Sequence, residues 1–185
     1  NDGDHGTSVA GIIAAKGWNN KGGRGVAPDA SLIGYNYPES QSLSNQLKAW
    51  GVNPPVSVDV DIFNMSYGTG YGKDDNDDPN TTYNLPTYLT TSYIDGLING
   101  TFIQRGGKGA IYIKSSGNDY KTATTSDCGT DFACTEMTID NKSTQPYIIH
   151  VGSLNADGVK SSYSTPGSAL WISGFGGENG ANSSY

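Results

Sequence analysis

Strand-like runs that alternate with helical patterns predict an α/β protein built on a mostly parallel sheet flanked by helices. Runs rich in β-branched and aromatic residues at 30–35, 58–66, 110–114, 147–151 and 170–173 have the length and composition of buried strands. Between or before them, 6–16, 42–50 and 90–104 carry apolar residues at helical spacing. No internal repeat and no linker interrupts the 185 residues, enough for one domain with a sizeable core.

Taken in order, the first helix follows His5, with Thr7 and Ser8 suited to its first turn and Val9, Ala10, Ile12, Ile13 and Ala14 forming an apolar stripe for burial. Glycine-rich 17–25 reads as a loop, and a strand is expected over 30–35 after Pro28-Asp29. Leu43, Leu47 and Trp50 share one side of the second helix. A strand over 58–66 leads into a long polar loop reaching about Pro86. Tyr93, Ile94, Leu97 and Ile98 mark the third helix, which Gly96 and Gly100 weaken. The strands at 110–114 and 147–151 come next, then a hairpin-like stretch at Ala156-Asp157-Gly158 and a last strand at 170–173.

Composition removes several function classes. A net charge of −7 with no basic cluster argues against nucleic-acid binding. No apolar run approaches the ~20 residues that a membrane helix needs. The 26 glycines and 12 tyrosines, with only 35% hydrophobic residues, suit a loop-rich extracellular enzyme. His150 lies inside the apolar run 147–151 and reads as a core residue; with one other histidine in the chain, zinc lacks ligands. Gly174-Phe175-Gly176-Gly177 has no following Lys-Ser/Thr and makes a poor phosphate loop.

Three stretches carry chemistry. Asp4-His5-Gly6-Thr7-Ser8-Val9-Ala10-Gly11 holds an imidazole at a helix start, a good place for proton transfer. Asp61-Ile62-Phe63-Asn64-Met65-Ser66-Tyr67-Gly68 ends a strand in Ser-x-Gly. In 109–118, a strand runs into the turn Ser116-Gly117-Asn118, where ligands of α/β sheets bind. In this order and at these separations the motifs resemble the subtilisin-like serine protease family, and Gly106-Gly107-Lys108-Gly109 leans toward its kexin-like branch. The resemblance covers most of the chain. It implies a serine endopeptidase acting through an Asp-His-Ser triad, with His5 as general base and Asn118 stabilising the oxyanion. Ser66, Tyr67 and Gly68, together with Ser116 and Gly117, would bind the substrate main chain.

The family's Gly-Thr-Ser-x-Ala nucleophile string is absent, and so is its upstream Asp-Thr/Ser-Gly motif. Ser183 and Ser184 do not match the nucleophile, and Asp2 and Asp4 read as solvated acids near a helix N-terminus. The chain is therefore expected to be truncated at both ends, 1–185 being a partial peptidase domain that is inactive alone. A catalytically inactive module that binds peptides or partners is the alternative. The resemblance implies protein or peptide substrates, secretion, and a propeptide or accessory domain elsewhere in the protein. Asp74, Asp75, Asp77 and Asp78 form an acidic run whose hard oxygens suit Ca²⁺, a structural cation common in the family; a solvated loop is the other reading. Kexin-like enzymes place specificity acids just after the Ser-x-Gly strand. Here 69–73 intervenes, with Asp119, Asp127 and Asp131 as other candidates. Cys128 and Cys134 are close enough for a disulfide, which a secreted protein favours over two buried thiols.

Overall fold

In a computed structural model, residues 4–37, 40–51, 60–68, 89–118, 120, 137–139 and 141–178 are described. The chain falls into two compact units, Asn1–Ala49 and Trp50–Tyr185.

The second unit holds a four-stranded, fully parallel sheet in the order β1-β2-β3-β4. Its strands are β1 (Ile62–Met65), β2 (Ile111–Ser115), β3 (Ile148–Leu154) and β4 (Leu170–Phe175). The register aligns Phe63 with Tyr112 and Tyr112 with Ile148; one step on, Met65, Lys114 and His150 align. Those six side chains therefore share one face, and all six are buried. The opposite face exposes Ile62, Ile111 and Ile172. A bulge between His150 and Val151 leaves Trp171 without an opposite residue, so β4 kinks there.

The helix of this unit, α3 (Thr91–Gly107), packs Tyr93, Leu97 and Gly100 inward. Trp50 fills the space beside it, its ring 4.1 Å from that of Tyr93. Phe63 stacks on Tyr112 at 4.9 Å, and such aromatic pairs add about 0.5–1.5 kcal/mol to plain burial. Gly100 is required at its position: a Cβ there would meet the Tyr112 hydroxyl at 1.7 Å. Regular helix ends at Ile103, because Gln104 is extended and Arg105 and Gly106 are left-handed. Arg105 pairs with Asp61 and donates to the Gly109 carbonyl at 3.1 Å, tying the turn to the start of β1.

The first unit holds α1 (His5–Ala14) and α2 (Leu43–Ala49). Ser42 caps α2, its hydroxyl accepting from the Asn45 N–H at 3.1 Å. Two expectations need correction here. The run 30–35 forms no strand; no strand ladder includes it among the described residues, and Leu32 and Ile33 are exposed. An apolar β-branched run signals a strand, but the ladder needs a partner that composition does not reveal. Helix α1 buries none of its residues, and Ile12 is 70% exposed. It is held instead through its last carbonyls, which accept from the N–H groups of Gly25, Val26 and Ala27 at 2.7–3.0 Å.

Candidate active site

Parallel strands place their carboxyl ends on one edge, and two of the expected functional segments leave that edge from neighbouring strands. Ser66, Tyr67 and Gly68 follow β1, and Ser116, Gly117 and Asn118 follow β2. Since Met65 pairs with Lys114, the two segments begin side by side. Tyr67 is anchored by its hydroxyl, which accepts from Trp50 Nε1 at 2.9 Å. Ser66 Oγ accepts from Asn64 Nδ2 at 2.9 Å. The segment after β1 is thus fixed to the core before any ligand arrives. Lys114 is buried at the same edge; its ammonium donates to the Ser115 carbonyl at 3.3 Å and sits 3.3 Å from where a Gly68 Cβ would stand.

The turn after β2 has its own supports. Ser116 continues the ladder, donating its N–H to the Val151 carbonyl at 3.0 Å. Gly117 then takes φ of 105°, which a side chain would strain, and the chain swings out so that Asn118 is exposed. The Gly117 carbonyl accepts from the Thr165 N–H at 3.1 Å. Behind the turn lies a cluster of buried hydroxyls: Ser116, Ser161, Ser164 and Thr165. An Asx turn directs that segment. The Asn155 Oδ1 accepts from Asp157 and Val159 N–H groups at 3.0 Å each, and Gly158 takes φ of 75°. The chain so reversed pairs Leu154 with Lys160 in antiparallel fashion and reaches the Ser116–Asn118 turn.

His5 belongs to the other unit. It is the first residue of α1 and is exposed; Asp4, at the N-cap, makes no side-chain cap, and its carbonyl takes up the Ser8 N–H at 2.8 Å. His150 lies buried in β3, away from solvent. Asp2, Asp74, Asp75, Asp77, Asp78, Asp119, Asp127, Asp131, Cys128, Cys134, Ser183 and Ser184 lie outside the described residues. Among the described residues, no three His, Cys, Asp or Glu side chains gather as a metal site. Lys114 and the hydroxyl cluster escaped sequence reasoning. Their signals were present: a lysine inside an apolar strand, and the unbroken hydroxyl run Ser161-Ser162-Tyr163-Ser164-Thr165.

The chain is 34% identical over 188 residues to the Aeromonas extracellular serine protease of Aeromonas sobria, covering 96% of this chain and 28% of that protein. Neuroendocrine convertase 2 of mouse is 30% identical over 115 residues, 62% of this chain and 16% of the convertase. Among solved structures, the Aeromonas sobria serine protease in complex with its chaperone superposes with a TM-score of 0.75 at 32% identity, over 95% of this chain and 29% of that one. The chain thus spans under a third of the Aeromonas enzyme. The family model described as Peptidase_S8, the subtilase family, matches residues 1–183. Together with the parallel sheet, these likenesses establish that the chain belongs to the subtilase family.

Proposed function

We propose that the chain is part of a secreted serine endopeptidase, of the kexin-like branch, that cleaves peptide bonds through an Asp-His-Ser triad. The observation that supports this most is the adjacency of Ser66–Gly68 and Ser116–Asn118 at one sheet edge, in a chain whose relatives are named proteases. A substrate strand would lie along Ser66 and Gly68, with Ser116 and Gly117 on its other side. A serine from beyond residue 185 would attack the scissile carbonyl. His5 would take the serine's proton and return it to the leaving amine. The Asn118 amide would donate to the carbonyl oxygen as negative charge develops on it. Relatives named as extracellular support secretion, and the convertase likeness supports the kexin-like branch. We assign a structural Ca²⁺ to the acidic run Asp74, Asp75, Asp77 and Asp78, whose carboxylates are the hard donors this cation takes.

Kinetics of the full-length enzyme test the role of Asn118. A donor that acts mainly in the transition state raises kcat and leaves KM nearly alone. Asn118→Ala is therefore expected to lower kcat about 10²–10³-fold, a magnitude taken from subtilisin's own oxyanion asparagine rather than derived from this chain. Asn118→Gly keeps any turn conformation that asparagine supplies and removes only the amide. Near-wild-type kcat in a folded Asn118→Gly variant would sink the assignment.

A further inference from the structure

The segment 160–165 has no part in the proposed chemistry, yet it holds the Asn118 turn from both sides. The Thr165 N–H donates to the Gly117 carbonyl at 3.1 Å, and the Tyr120 N–H donates to the Tyr163 carbonyl at 3.2 Å. These bonds bracket Asn118, one residue before it and two after. Lys160 closes the bracket: its ammonium donates to the carbonyls of Ser161 at 2.9 Å and Ser164 at 3.1 Å, and lies 3.6 Å from the centroid of the Tyr120 ring. Ser164, 2% exposed, joins the segment to the sheet. Its hydroxyl accepts from the Ser153 N–H at 2.9 Å and stands 3.4 Å from Ser116 Oγ. The far side is anchored as well. Ser161 Oγ donates to the Gly177 carbonyl at 2.6 Å, and the Tyr163 hydroxyl donates to the Gly176 carbonyl at 3.1 Å.

We infer that 160–165 is a positioning element for the Asn118 amide, with Lys160 and Ser164 as its positioning residues. The inference rests on reading Asn118 as the oxyanion donor. Such a donor works by being aimed before the reaction starts, so that no reorganisation is needed as charge develops. Asn118 is an exposed side chain on a turn. The two backbone bonds fix the peptide on either side. Lys160 ties the carbonyls of Ser161 and Ser164 together and spans to the ring two residues beyond Asn118. A cation over a ring face is attracted by about 0.5–1 kcal/mol at an exposed site, enough to bias the turn and too little to hold the fold.

A double-mutant cycle in the full-length enzyme, with a peptide anilide as substrate, tests this. Lys160→Met keeps the apolar stem and removes the charge; Lys160→Arg restores both the donors and the ring contact. Lys160→Met and Ser164→Ala are each expected to lower kcat about tenfold with KM nearly unchanged, and Lys160→Arg to recover most of the loss. In an Asn118→Ala background, Lys160→Met is expected to change kcat by no more than about twofold, while shifting Tm as it does in the wild type. Lys160 is exposed, so its variants fold even where Ser164→Ala does not. Unchanged kcat in Lys160→Met overturns the inference. So does the same tenfold loss repeated in the Asn118→Ala background, which marks a purely structural role. If Asn118→Ala itself leaves kcat intact, the oxyanion reading fails first and the positioning role fails with it.

Discussion

Tyr112 shows how much one side chain can settle. It is 1% exposed, stacks on Phe63, and donates its hydroxyl to the Trp50 carbonyl at 2.8 Å. The glycine at position 100 leaves room for that hydroxyl. Burial pushes the phenol well above its usual range, because the phenolate would lie in the core without water. The folded chain therefore holds this proton to higher pH than the unfolded chain, whose phenol titrates near pH ~10. The stability this provides is complete below about pH 10 and is lost as pH rises from there toward the folded value. Tyr112→Phe removes the dependence and one hydrogen bond. Unfolding by urea across pH 8–11 is expected to show the variant less stable by about 1 kcal/mol at pH 8 and losing less stability than the wild type above pH 10. Parallel curves across that range would contradict the account.

At the level of elements, the second unit is the part that the sequence specified well. Ile62–Met65, Ile111–Ser115, Ile148–Leu154 and Leu170–Phe175 fall within a few residues of the expected strands, the first two residues of the expected 58–66 lying outside the described residues, since each β-branched run finds a parallel neighbour. The weak helix over 90–104 forms as expected, and its glycines turn out to be packing devices: Gly96 and Gly100 are buried, the latter against Tyr112. The hairpin-like stretch was legible from Ala156-Asp157-Gly158, while the Asn155 side chain that organises it was not read from the sequence. What was not legible depends on distant partners. The run 30–35 lacks a ladder, α1 stays unburied, and the grip of 160–165 on the Asn118 turn joins residues more than 40 positions apart. The acidic run at 74–78 lies outside the described residues, and solution work decides its role. Calcium bound only by the folded form would add about 2.7 kcal/mol at a hundredfold excess over its Kd. Chelation is accordingly expected to lower Tm, and neutralising Asp75 and Asp77 together to remove that sensitivity. A Tm indifferent to chelator leaves the run as a solvated loop.

For the whole molecule, the two units supply different parts of one proposed reaction: a base at the start of α1, and an oxyanion donor with a substrate-binding edge at the ends of β1 and β2. The chain spans under a third of its Aeromonas relative, and the proposed mechanism takes its nucleophile from outside these residues. Members of a triad act as a unit, and removing the base disables the nucleophile itself. The most direct measurement is made on the full-length protein: hydrolysis of a peptide anilide, and covalent labelling by a serine-directed fluorophosphonate, with and without His5→Ala. The account predicts that the wild type cleaves and is labelled. It predicts that His5→Ala loses at least about 10⁴-fold in kcat and is labelled far more slowly, a magnitude borrowed from other triad enzymes, subtilisin included. Wild-type turnover and labelling retained by a folded His5→Ala variant would contradict it.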